Sequence, residues 1–112
     1  MTKRYLLLML NKEMPMPTDP QQAEAGIKPW REFLGELHRQ GKMEGGLPVQ
    51  RSGKIARKRS VKDYKAKTND VGGYLIIKAD SMEEAVKIAQ ATPHAKQNMG
   101  PTIVRECIDM PM

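Results

Sequence analysis

The stretch of residues 72–91 constrains the fold of this chain more than any other part of it. Its first half, residues 74–79, is rich in β-branched and aromatic side chains, which is typical of a buried strand. Ser81 and Glu84 follow with the Ser-x-x-Glu spacing of a capping box, in which side chains satisfy free backbone N–H groups at the start of a helix. The sequence therefore predicts a strand that leads directly into a helix.

The N-terminal part predicts another strand followed by a helix. Both alternating sets of side chains in residues 3–10 are apolar, so both faces of the sheet should be covered at this strand. A proline-rich loop, residues 14–17, comes next. Asp19 then caps a helix that Gly41 closes, and Pro29 inside its apolar stripe predicts a kink or a restart.

The remaining segments predict two strands and a basic hairpin. Residues 43–51 suit an edge or bulged strand, because two glycines and a proline interrupt them. A tight turn at Ser52-Gly53 should lead into residues 54–60 and give a basic hairpin. Residues 61–71 are polar and should be irregular, with room for a short extended piece over residues 64–68. A turn-rich connection after the second helix leads to a last strand over residues 102–109.

Without the hairpin, the element order is β-α-β-β-α-β, the split pattern of ferredoxin-like α+β folds. The length of 112 residues, with 39% apolar and 29% charged residues, suits a single domain over residues 1–112. Two helices can cover only one face of the sheet. The apolar second face therefore predicts a homodimer that packs sheet against sheet.

Several short strings, in this order and spacing, resemble the YCII-related family, especially its branch named for an Asp-Gly-Pro-Phe (DGPF) motif. The strings are Tyr5-Leu6-Leu7-Leu8, Phe33-Leu34-Gly35-Glu36-Leu37, Gly72-Gly73-Tyr74-Leu75-Ile76-Ile77 and Ile103-Val104-Arg105. The resemblance covers almost the whole chain. It implies a dimeric α+β barrel built from ferredoxin-like protomers, here with an inserted basic β-hairpin.

The positions that carry chemistry in the family are changed in this chain. The Asp-Gly-Pro-Phe slot falls on residues 61–64, where only the aromatic Tyr64 is kept. The resemblance implies acid–base work for a His in the first helix and an Asp after the second, but these positions fall near Trp30 and on Thr92. The resemblance therefore favours a non-enzymatic, small-molecule-binding or regulatory module. The alternative is a small isomerase- or lyase-type enzyme of the same barrel type.

A few side chains remain as candidates for such chemistry. His94, expected in a loop, could be an acid, a base or a ligand anchor, although a solvated or capping histidine is the plainer interpretation. Tyr74 is a second catalytic candidate, and Trp30 and Tyr74 could line a cavity between helix and sheet. His38 is the only other histidine and should be ordinary surface. We expect no metal site and no cofactor.

The net charge of +6 is concentrated in one segment, residues 51–67, which carries +7 while the rest of the chain carries −1. Its centre, Arg57-Lys58-Arg59, could be solvated surface, a binding patch for an anionic small molecule or acidic partner, or a nucleic-acid contact. Nucleic acid is the weakest of the three, because Tyr64 is the only nearby aromatic for base stacking.

The compartment is predicted from the thiol content and the apolar runs. A lone Cys107 cannot form an internal disulfide, which favours a reducing cytoplasm. The apolar run after Lys3 and Arg4 is six residues long and has no cleavage site, so it indicates a strand rather than a signal peptide. No stretch approaches the roughly 20 apolar residues of a membrane span.

Overall fold

A computed structural model describes residues 2–12 and 19–110 of the chain; the proline-rich loop expected at 14–17 lies outside them. The described residues form six strands and three helices. In chain order these are β1 (Lys3–Asn11), α1 (Pro20–Arg39), β2 (Met43–Pro48), β3 (Ser52–Arg57), β4 (Ser60–Lys65), β5 (Asp70–Ala79), α2 (Met82–Gln90), α3 (Pro93–Lys96) and β6 (Thr102–Glu106).

Four strands form one antiparallel sheet in the order β2-β5-β1-β6. The two central strands, β1 and β5, are the most apolar segments of the chain, and β2 lies at an edge with a bulge between Met43 and Gly45. This order confirms the predicted α+β, ferredoxin-like protomer. No helix within residues 2–12 and 19–110 is long and apolar enough to cross a membrane.

The hydrophobic core lies on one face of this sheet, beneath the helices. Leu7 of β1 and Ile77 of β5 are fully buried there, and α1 and α2 cover them with Leu37 and Ala85. Full burial of one such aliphatic side chain stabilises the fold by about 1.5–3 kcal/mol. The intervening residues of β1, Leu8 among them, are only half-buried. The sequence predicted that both faces of the sheet would be covered. Within the protomer, the helices cover one face and leave the other without cover.

The ends of α1 follow the local signals of the sequence. The Asp19 side chain accepts a hydrogen bond from the Gln21 N–H group at 2.9 Å, which satisfies a free donor of the first turn. Gly41 follows the helix with φ of +71°, a left-handed conformation that other residues rarely adopt. The helix continues through Pro29, so the expected restart does not occur.

The basic hairpin is displaced from its predicted position. Ser52-Gly53 begins β3 instead of forming a turn, and the chain reverses at Lys58-Arg59. Its second strand is β4, Ser60–Lys65, where the sequence predicted the end of the hairpin at Ser60 and then irregular chain with a short extended piece from Tyr64. The register is set by cross-strand pairs. Ala56 lies directly opposite Val61, so the ladder continues up to the turn at Lys58-Arg59. We call this two-stranded unit the basic ribbon.

The basic ribbon extends away from the main sheet and packs little against it. The radius of gyration of the chain is 15.5 Å, whereas a compact chain of this length would have about 13 Å. The last strand is shorter than predicted, since β6 ends at Glu106. The connection before it contains α3, whose N-cap Thr92 accepts a hydrogen bond from the Ala95 N–H group at 3.2 Å.

Candidate functional site

A cavity of about 460 Å³ lies between α1 and the sheet, and we call it the sheet–helix cavity. Trp30 and Leu34 of α1 form one wall, and Met9 of β1 and Leu75 of β5 form the floor. Most of its surface is apolar, with a few polar side chains at one end. Size and lining are those of a pocket for a small organic molecule.

A bulge in the sheet shapes the floor of this cavity. The pairing of β1 with β5 shifts between Met9 and Leu10, so that Gly72 is an extra residue on β5. The Asn11 side chain lies against Gly72, and a Cβ atom on that glycine would overlap the Asn11 amide. The bulge therefore brings a polar amide to the rim of an otherwise apolar cavity.

His94 lines the same cavity and is only 4% exposed. Its Nε2 atom lies 2.9 Å from the Leu10 carbonyl oxygen, and its Nδ1 atom lies 3.3 Å from the Thr102 hydroxyl. The interpretation of His94 as a solvated loop histidine is therefore wrong. Thr92 and Pro93 start a short helix at this point, and that helix turns the imidazole inward against the sheet.

Trp30 and Tyr74, the other two residues predicted to line a cavity, lie on opposite faces of the sheet. Trp30 is half-buried in the cavity wall, with its ring edge-on to Phe33 at 6.1 Å. Tyr74 also borders the cavity, but it alternates along β5 with the buried Gly73 and Leu75. Its side chain therefore points to the opposite face. The structure brings Trp30 and His94 together, and a catalytic role for Tyr74 stays a prediction.

Asn11, Gln97 and Thr102 are polar residues of this region that the sequence did not single out. Asn11 and Gln97 border the cavity, whereas Thr102 contacts it only through His94. No motif marks them, because they come together through strand pairing and not through spacing in the chain. Within residues 2–12 and 19–110 there is no group of His, Cys, Asp or Glu side chains that could hold a metal ion.

A second, polar depression of about 540 Å³ lies at the opposite end of the central strands, where charged side chains pair with one another. Glu44 accepts from Lys78 at 2.8 Å and from Arg4 at 3.3 Å, and the Lys78 hydrogen bond is the main cause of its lowered pKa. Lys42 lies 2.9 Å from Glu84 and likewise lowers the pKa of that carboxyl. These mutual pairs indicate a structural role.

The predicted anion-binding residues lie elsewhere, at the end of the basic ribbon. Arg57 ends β3, Lys58 and Arg59 form the turn, and all three side chains are exposed. No ion pair among the described residues involves them, whereas Lys54 further down the ribbon pairs with Asp63. The patch is thus separate from the cavity and presents three cations to solvent.

A ferredoxin-like sheet with a cavity beneath its first helix defines a small α+β protein of the ferredoxin-like class. The model of the YCII-related domain matches residues 4–110. The chain belongs to the YCII-related family, as its short strings predicted. The comparison with curated proteins finds no match.

Among solved structures, the chain is similar to 5-chloro-2-hydroxyhydroquinone dehydrochlorinase from Burkholderia phenoliruptrix AC1100, in complex with 2,5-dihydroxybenzoquinone. The identity is 19% and the TM-score 0.53, over 91% of this chain and 90% of that one. At this identity the likeness shows a shared fold.

The comparison corrects one prediction from the sequence. The preference for a non-enzymatic binding or regulatory module is wrong, because the similar dehydrochlorinase is an enzyme and the enzyme alternative is the better supported. The preference relied on the missing His and Asp of the family pattern, at Trp30 and Thr92. Catalytic groups belong to sites grafted on a fold, so two changed positions do not remove the capacity for catalysis.

Proposed function

We propose that the protein is a small isomerase- or lyase-type enzyme whose substrate occupies the sheet–helix cavity. The observation that carries this proposal is a buried imidazole, that of His94, in the wall of a mostly apolar cavity of about 460 Å³. A concave, largely apolar pocket with a few convergent polar groups is the first place to look for an active site, and a titratable side chain in it is a candidate acid or base.

The chemistry of the walls favours a small, flat and mainly apolar substrate. Trp30 offers an aromatic surface, and the amides of Asn11 and Gln97 offer donors and acceptors at one end. A cyclic compound with a few oxygen substituents suits such a lining. The similar dehydrochlorinase was solved with 2,5-dihydroxybenzoquinone, which is a molecule of this kind.

His94 would supply the proton transfer. Eliminations and isomerisations of such compounds start with removal of a proton from the substrate, and a positioned imidazole contributes about 10²- to 10⁴-fold to the rate of such a step. The bond between the His94 ring and the Leu10 carbonyl fixes the orientation of the imidazole. We define the elimination assay as chloride release from 5-chloro-2-hydroxyhydroquinone, with 2,5-dihydroxybenzoquinone as the binding probe.

Binding of the probe is expected to quench the fluorescence of Trp30 in a saturable way, because Trp30 lines the cavity and is the single tryptophan of the chain. Gly26 also lines the cavity and has open space beside it, so Gly26→Leu should fill that space. The dissociation constant of the probe from Gly26→Leu should be at least about tenfold higher than from the wild type, which corresponds to 1.4 kcal/mol. Fluorescence titration measures both quantities, with free tryptophan as the optical control.

Gly35→Leu is the matched control, because Gly35 lies on the same helix, also has open space around it and does not line the cavity. The two substitutions change helix propensity equally. Equal weakening by both, or no saturable quenching in the wild type, would contradict the location of the substrate site.

We also propose that the functional unit is a cytoplasmic homodimer of single-domain chains. The face of the sheet that the helices leave uncovered carries half-buried apolar side chains, including Leu6, Leu8 and Ile76. A second copy of this face would cover them. The half-buried, unpaired thiol of Cys107 supports a reducing compartment.

A second function is proposed for the basic ribbon, as a patch for anionic small molecules or an acidic partner. The observation that favours it is the exposure of Arg57, Lys58 and Arg59 on an arm that extends from the body. Replacing all three by Ser should leave the free energy of unfolding within about 0.5 kcal/mol for each change. Elution from heparin should then require clearly less salt.

The matched control for the triple ribbon variant removes the same number of positive charges from another part of the surface. Lys28, Lys87 and Lys96 are exposed and lie outside the ribbon, so their triple replacement by Ser removes three charges without touching the patch. If both triple variants elute from heparin at the same salt concentration, net charge alone explains the retention and the patch has no special role.

A further inference from the structure

The β1–β6 ladder lacks one backbone hydrogen bond, and the His94 side chain lies at that point. Met9 pairs with Thr102, and one residue further the Leu10 N–H group donates to the Pro101 carbonyl at 3.0 Å. In an antiparallel ladder the opposed residue returns a bond from its own N–H group. Pro101 has no N–H group. The Leu10 carbonyl therefore lacks the ladder partner that this position normally provides.

The imidazole of His94 takes the place of that missing donor. Its Nε2 atom lies 2.9 Å from the Leu10 oxygen, and a carbonyl oxygen can only accept, so Nε2 carries the hydrogen. The backbone of Gly100 also lies close to the Leu10 oxygen. Only glycine fits there, because its φ is +151° and a Cβ atom would overlap that oxygen. The hydrogen bond to the Leu10 carbonyl holds the ring in the Nε2–H tautomer when it is neutral.

This tautomer leaves Nδ1 as the nitrogen that can take up a proton, and the hydroxyl of Thr102 lies 3.3 Å from it. We infer that Thr102 is a positioning residue for His94: its hydroxyl on Nδ1, together with the Leu10 carbonyl on Nε2, holds the imidazole in one orientation. Its role in turnover rests on the proposed function of the sheet–helix cavity. Its role in the orientation of the ring rests on the geometry alone.

Threonine suits this role because its hydroxyl can both donate and accept. It donates to Nδ1 when the ring is neutral, and it accepts from the Nδ1–H group when the ring is charged. The same partner thus satisfies both states of the ring in one orientation. Thr102 is half-buried on β6, a strand that α2 packs against, so the hydroxyl is held by the sheet.

Nitrogen NMR of the imidazoles tests the inference without a substrate. In the wild type we expect His94 to show a protonated Nε2 with a slowly exchanging hydrogen and an unprotonated Nδ1, whereas the exposed His38 should show the averaged signals of a mobile ring. In Thr102→Val the Nδ1 resonance should shift to that of an unbonded nitrogen. Thr102→Ser should return it to the wild-type position.

Thr68→Val provides the matched control, since Thr68 is exposed and is not one of the two hydrogen-bond partners of the His94 ring; it should leave both histidine spectra unchanged. Valine fits the strand position of Thr102 well, and thermal unfolding checks that the fold is kept. A wild-type His94 with its hydrogen on Nδ1, or the same Nδ1 resonance in the wild type and Thr102→Val, would overturn the inference.

Turnover gives a second readout. In the elimination assay, Thr102→Val should lower kcat about tenfold with KM unchanged, because a misplaced catalytic group slows the reaction without weakening binding. Thr102→Ser should restore most of the rate. If the tautomer is as expected and the cavity binds no probe, the proposed function fails while the positioning of His94 stands. If His94 is essential for turnover and Thr102→Val changes nothing, Thr102 is not a positioning residue.

Discussion

Replacement of His94 by Gln is expected to lower kcat in the elimination assay by about 10²- to 10⁴-fold, the range for loss of a general acid or base. The Gln side chain keeps an N–H donor that can bond the Leu10 carbonyl in place of Nε2, so the fold should be retained. Binding of the probe should change little, since the cavity walls stay apolar. Steady-state kinetics measure the rate, and Trp30 quenching measures the binding.

His38→Gln is the control for this variant, because His38 is exposed on α1 and away from the cavity. It should keep the wild-type rate and the wild-type melting temperature. A His94→Gln protein that turns over normally would remove the imidazole from the mechanism. The elimination assay would then point to another group, and Tyr74 would have to be tested on the opposite face of the sheet.

The elements that the sequence predicted best carry their own local signals. Ser81 accepts from the Glu84 N–H group at 3.1 Å, and the Glu84 carboxylate caps the Asp80 N–H group, one residue before the position a capping box predicts. Asp19 and Gly41 bound α1 as expected. Caps depend on residues within one helical turn, so the chain reveals them without knowledge of the fold.

The basic ribbon was misplaced because its register depends on pairing between strands. Ser52-Gly53 has the composition of a turn, but the pair of Lys54 with Asp63 and the contact of Ala56 with Val61 place the reversal at Lys58-Arg59. Those two residues carry no turn signature. Where local composition and cross-strand contacts disagree, the contacts of the whole ladder determine where the chain turns. A single sequence does not show which residues pair across the two strands.

The candidate site was predicted only in part for the same reason. The stripe favoured Trp30 as a core residue and the neighbouring Pro29 suggested that it could line a cavity; the structure places Trp30 in the wall of the sheet–helix cavity. The burial of His94 depends on Leu10, which is 84 residues away in the chain and became available because Pro101 is opposite it. Pro101 is visible in the sequence, but its effect on Leu10 appears only once the two strands are paired.

The wild-type protein is expected to sediment at about twice the protomer mass of 12.6 kDa, because the uncovered face of the sheet needs a partner. Leu8 lies near the middle of that face, between Tyr74 on β5 and Ile103 on β6. Leu8→Lys would bury an unpaired charge in the interface, which costs several kcal/mol. The variant should therefore be largely monomeric at micromolar concentration in analytical ultracentrifugation.

Met82→Lys is the matched control, because Met82 is 43% exposed on α2, on the helical side of the sheet. It introduces the same charge at an apolar position on the other side of the sheet and should leave the dimer intact. A wild-type monomer that unfolds cooperatively would contradict the homodimer, since the Leu8 face would then be stable in water. Dissociation by Met82→Lys and not by Leu8→Lys would instead place the interface on the helices, and the ferredoxin-like sheets would not pack face to face.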